Sequence, residues 1–109
     1  MTRSLASLLT SAGYLDVRSR TPGYPAPREY GGLADMPDVT AKSLHGHNDV
    51  FYVLTDHHLA ASEFLRPWRT LLSGATQRVR VWLAVPEGSR PVVQARLRAM
   101  GVRACVVEI

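Results

Sequence analysis

The sequence predicts a mixed α/β domain: one mixed β-sheet flanked by helices, in the order αβββαβαβ. Three observations carry this expectation. Short β-branched and aromatic runs, such as Val50–Leu54, alternate with segments whose apolar residues recur at helical spacing. The first three predicted strands follow one another without an intervening helix, as an antiparallel meander requires. The later strands are separated by predicted helices, so those connections are expected to be parallel and right-handed. With 109 residues and 46% apolar content, the chain suits one hydrophobic core, and 1–109 reads as a single domain.

At the start, Leu5, Leu8, Leu9 and Ala12 fall at i, i+3, i+4 and i+7 and form one apolar stripe. Thr2 or Ser4 can cap this helix and Gly13 stops it. The apolar stretch is short and broken by Ser7, so it reads as a helix and not as a secretory leader. Residues 14–20 alternate apolar and charged side chains, the pattern of a half-exposed strand. The segment 21–35 holds three prolines and three glycines and is a loop. Loops of that length in small domains are usually functional or mobile. Tyr24, Arg28 and Tyr30 give it the aromatic and basic mixture that stacks on bases and contacts phosphates. The same composition also describes a proline-stiffened flap packed on the domain surface.

The stretch 36–56 is the centre of the chain. Asp38-Val39-Thr40-Ala41 and Val50-Phe51-Tyr52-Val53-Leu54 read as the strands of a β-hairpin. Residues 44–49, with Gly46, Asn48 and Asp49, read as its turn. A helix is expected over 60–73, where Leu65, Trp68, Leu71 and Leu72 recur at helical spacing, with Pro67 in a first turn or at a kink. Residues 78–85 form a strand that begins alternating and ends fully apolar, with Trp82 expected in the core. Ser89 and Pro91 start a last helix whose apolar side is Val92, Val93, Leu97 and Met100. Gly101 ends it, and 102–109 return as the final strand. Cys105 is the only cysteine, so no internal disulfide forms, and its apolar neighbours predict a buried packing role. That cysteine usage fits a cytoplasmic protein. No window approaches the roughly 18 apolar residues of a membrane span.

The formal net charge is +4, and Lys42 is the sole lysine. Arginine forks suit phosphate, which makes DNA or RNA the natural partner; a GC-rich genome produces the same arginine bias. Arg18, Arg20 and Arg28 with Tyr24 and Tyr30 are the candidate nucleic-acid-binding residues.

The element order, Pro37-Asp38 opening the second strand and the hydrophobic third strand resemble the PD-(D/E)XK nuclease-like (restriction-endonuclease-like) superfamily. The resemblance extends to the predicted 60–73 helix and the Val81–Pro86 strand. It implies a restriction-endonuclease-like fold and, in active members, an aspartate and a Glu-x-Lys that hold Mg²⁺ or Mn²⁺ and position a water. Asp38 matches the aspartate and would be the metal ligand. Tyr52 and Leu54 stand where the acid and the lysine belong, so the motif is degenerate. Asp56 shares their strand face at i+4 and is the candidate for a migrated carboxylate.

The expected function is therefore a catalytically inactive nuclease-fold domain, a pseudo-nuclease, that binds nucleic acid or a protein partner and needs no cofactor. One alternative is an active divalent-metal-dependent nuclease using Asp38 and Asp56. Another is a structural or assembly domain, as a homodimer or within a larger protein assembly. His45 and His47 in the turn and His57 and His58 after the third strand form a further set of possible transition-metal ligands. The two pairs fall at opposite ends of the hairpin, which favours solvated side chains.

Overall fold

The computed structural model of the protein describes residues 2–28, 37–55, 79–99, 101 and 105–109. Helix α1 spans Thr2–Ser11. It ends as Gly13 predicts: Gly13 adopts φ +91°, its N–H donates to the Thr10 carbonyl at 3.2 Å, and Tyr14 N–H donates to the Leu9 carbonyl at 3.0 Å. This pair of bonds satisfies carbonyls that a helix end leaves open. Leu5, Ala6 and Leu9 are buried, whereas Leu8 is half exposed. The apolar stripe is thus narrower than the spacing predicts, because Ala6 and not Leu8 flanks the buried row.

Five strands follow: β1 Leu15–Ser19, β2 Val39–Lys42, β3 Asn48–Val53, β4 Val79–Val85 and β5 Cys105–Glu108, with helix α2 Arg90–Ala99 between the last two. They form one mixed sheet in the order β1-β2-β3-β4-β5. The first three strands are antiparallel neighbours, while β4 lies parallel to β3 and β5 parallel to β4. A mixed sheet with helices is therefore shown. The predicted 60–73 helix lies outside the described residues. Among the described residues no helix is long and apolar enough to cross a membrane.

Strand periodicity and register sort the side chains onto two faces. Val39, Ala41, Phe51 and Ala84 face α1 and pack with Leu5 and Leu9 as one buried cluster. Val50, Tyr52, Val81, Leu83 and Val106 occupy the other face and are buried there. Glu108 belongs to that second face, and its Oε2 accepts the Arg90 N–H at 3.1 Å. The start of α2 is thereby tied over it, and Val93 and Leu97 supply its buried residues. Val92, expected on the apolar side, is half exposed, since Val93 and Leu97 at i and i+4 already define the contact row.

Two further expectations are corrected. The hairpin connection is residues 43–47, closed by Ser43 N–H to the His47 carbonyl at 2.8 Å and by Gly46 N–H to the Ser43 carbonyl at 2.9 Å. Asn48 and Asp49, read from sequence as turn residues, belong to β3. Asp49 has no exposed surface. A buried carboxylate needs a counter-charge and hydrogen bonds, and its register partner Arg80 supplies both, through Nε at 2.7 Å and Nη2 at 2.8 Å. Cys105, expected to be buried, is exposed at the start of edge strand β5; the apolar residues that suggested packing lie further along the strand. Trp82 is half-buried and stacks on the buried Phe51 with centroids 5.7 Å apart.

Candidate functional site

The basic residues singled out from sequence sit at the β1–β2 edge. The β1–β2 register shifts between Leu15 and Arg18, and Asp16 there adopts φ +50°. A short polar side chain tolerates this left-handed conformation better than most. Bulges commonly re-aim side chains, and here the Asp16 carboxylate lies between two guanidinium groups. Arg18 Nε donates to Oδ1 at 3.0 Å and Arg28 Nε to Oδ2 at 2.7 Å. The hydrogen bond from Arg28 above all, with that from Arg18, holds the Asp16 carboxyl below its ordinary pKa.

The loop after β1 is fastened along the same edge. Ser19 N–H donates to the Pro25 carbonyl at 2.9 Å, and Arg28 N–H donates to the buried Thr40 Oγ1 at 3.1 Å. Arg18 pairs with Thr40 in register, so Arg18, Arg20, Asp38, Thr40 and Lys42 share one face of the sheet. Between Asp16 and the hairpin lies a pocket of about 220 Å³ lined by Asp16, Arg28, Thr40, Ala41, Lys42 and Asn48. Lys42 and Asn48 are direct partners across the hairpin.

The structure thus gathers Arg18, Arg20 and Arg28. Tyr24 lies apart from them, in a shallow groove with Ser4, Ser7, Leu8 and Ser11 of α1. Tyr30, Asp56, His57 and His58 lie outside the described residues, and His45 and His47 are exposed in the hairpin turn. Asp16, Lys42, Thr40 and Asn48 were missed by the sequence reading. Asp16 was not legible, because the bulge that re-aims its carboxylate breaks the strand period that Arg18 and Arg20 keep. Lys42 and Asn48 become neighbours only once the turn is placed at 43–47.

Asp38 precedes β2 and lies opposite Tyr52 by continuation of the Val39–Phe51 pairing. Its Oδ2 accepts the Val53 N–H at 2.8 Å, and its Oδ1 lies 3.6 Å from Arg20 Nη1. Asp38 therefore completes the strand pairing where the ladder ends. Tyr52 and Leu54 share its face and provide no second acid, while Asp49 lies on the opposite face against Arg80. Mg²⁺ needs several hard oxygen ligands in octahedral array. The described residues around Asp38 do not fit that ion, and among them no group of three or more His, Cys, Asp or Glu gathers elsewhere.

A second polar cluster lies on the α1 face. Arg80, held in its charged form by Asp49, lies 5.8 Å over the Trp82 ring. Burial, then the charge of Asp49, raises the Tyr14 phenol, and partial desolvation of the sulfur raises the thiol of Cys105, a residue otherwise exposed. These shifts disfavour a thiolate, so the cluster reads as the anchor of the β3–β4 pair. Compared with known proteins, the chain matches no family model, no curated sequence and no solved structure.

Proposed function

We propose that this domain binds the phosphate backbone of nucleic acid through Arg18, Arg20 and Arg28, as a nuclease-like fold that does not cleave. The observation carrying this reading is the Asp16 bracket, which draws Arg28 from the loop to lie beside Arg18. A guanidinium held by its Nε has its plane and direction set before a ligand arrives, which lowers the ordering cost of binding. The nuclease-like part is supported by the order of the described elements: a helix, an antiparallel three-stranded meander, then parallel strands. The absence of cleavage is supported by Asp38, whose oxygens serve Val53 and Arg20.

The test is binding of labelled single- and double-stranded oligonucleotides at low salt, by wild type and by an Arg18→Ala/Arg20→Ala variant whose fold is checked by circular dichroism. Wild type should bind and the folded variant should bind more weakly. Equal affinity of the two proteins would remove these residues from the interface. A second reading, a homodimer or assembly domain, is favoured by the exposed Leu15 and Leu44. A dimeric mass in light scattering, lost in Leu44→Ser, is what that reading requires.

A further inference from the structure

We infer that the pocket between the Asp16 bracket and the β2–β3 hairpin seats one phosphomonoester group, the terminal phosphate of a bound strand. Its size is the first argument. About 220 Å³ is smaller than the roughly 300–1,000 Å³ that holds a drug-sized ligand. One phosphate fits within it with room to spare. Charge is the second argument. Arg28 and Lys42 line the pocket, and Asp16, which also lines it, shares its single negative charge with Arg18 alongside. Two cationic side chains on the pocket wall suit an anion of more than one charge. A phosphomonoester carries about −1.5 to −2 at neutral pH, whereas each backbone phosphate carries only one negative charge.

The donors are the third argument. Thr40 Oγ1 accepts the Arg28 N–H, so the hydroxyl keeps its own proton to donate. The Lys42 ammonium and the Asn48 amide make no side-chain bond among the described residues, and the two residues face each other across the hairpin. Three donors of different kinds therefore converge on one small volume already fenced by the Arg28 guanidinium. The pocket shares its sheet face with Arg18 and Arg20, so a strand whose end is seated there has its following phosphates beside those arginines. The assignment of a nucleic-acid end rests on the reading above; the phosphate chemistry of the pocket does not.

The experiment uses the full chain and internally labelled oligonucleotides carrying a 5′-phosphate, a 3′-phosphate or hydroxyls at both ends. One phosphorylated end should bind about tenfold tighter than the hydroxyl form, the worth of one hydrogen bond to a charged group. Lys42→Ala, or Asn48→Ala should the first variant fail to fold, should abolish that ratio. Arg20→Ala should weaken all three ligands by a common factor and leave the ratio intact. In parallel, inorganic phosphate titrated into ¹⁵N-labelled protein should shift the Lys42 and Asn48 amides selectively. Phosphate shifts without an end preference would uphold the phosphate seat and move its source to small phosphomonoesters. No shift and no preference, in a protein that still binds oligonucleotides, would overturn the pocket and leave the backbone-binding reading standing. No shift together with no oligonucleotide binding would overturn both.

Discussion

Three aspartates show how one residue type takes different roles according to its surroundings. Asp49 is fully buried and depends on Arg80, whose side chain is 40% exposed. Removing Arg80 leaves a carboxylate without its counter-charge, whereas Asp49→Asn keeps an acceptor for the guanidinium. Arg80→Ala should therefore destabilise more than Asp49→Asn, by about 1–3 kcal/mol after allowance for screening at the exposed partner. Urea denaturation of the two variants checks the order; the reverse order would mean that Arg80 is not what compensates the buried carboxylate. Asp38 completes the end of the β2–β3 ladder, so incubation of plasmid or single-stranded DNA with Mg²⁺ or Mn²⁺ should show no cleavage beyond an Asp38→Ala control. Cleavage that depends on Asp38 would restore the active-nuclease alternative. Asp16 has a folded pKa below its unfolded value. Its contribution is thus present above the ordinary carboxylate range and is lost as pH falls through the lowered value. Carboxyl NMR titration of wild type and Arg28→Ala should show the Asp16 midpoint rising in the variant.

At the scale of elements, the strands were legible where burial alternates or saturates. Strand β4 is alternately buried and half-exposed at its start and wholly buried at its end, as its sequence implies. Gly13 was legible as a helix stop because it alone among its neighbours adopts the left-handed conformation without strain. Gly13→Ala should cost about 1–2 kcal/mol for that reason, read as a lowered melting temperature. Asn48 and Asp49 were misread because both favour turns when local chemistry alone is weighed. What places Asp49 in a strand is Arg80, a partner 31 residues away, and no local pattern shows such a pairing. Cys105 was misread for the complementary reason: its neighbours are apolar, but the strand begins at the sheet edge. The expectation for Trp82 is refined by its stacking partner. Phe51 is 2% exposed, and Phe51→Ala should cost about 3–5 kcal/mol. Trp82→Ala should cost less, because that ring is only half-buried and its Nε1 is buried without a hydrogen-bond partner among the described residues. Equal losses would place Trp82 deeper in the core than its exposure indicates.

Across the whole molecule, composition suggests an anionic partner, and folding decides which arginines are gathered on one face. A surplus of +4 is shared among pairs with very different environments. Arg80 is committed to a buried aspartate, and Arg90 donates to the Val106 carbonyl on edge strand β5 at 2.9 Å. Arg18, Arg20 and Arg28 stay together on one face at the opposite edge. The convergence of Arg18 and Arg20 was legible from strand period, but the Asp16 bracket was not, since it requires a bulge and a loop that turns back. The central claim is that this edge meets a phosphate backbone, and the salt dependence of binding tests it most directly. Each phosphate neutralised should contribute about 0.7–0.9 log units of affinity per log unit of salt. Fluorescence anisotropy across a salt series should therefore give a steep slope for wild type, flattened by up to about two contacts in Arg18→Ala/Arg20→Ala. A slope unchanged in that variant, or no binding even at low salt, would contradict the claim.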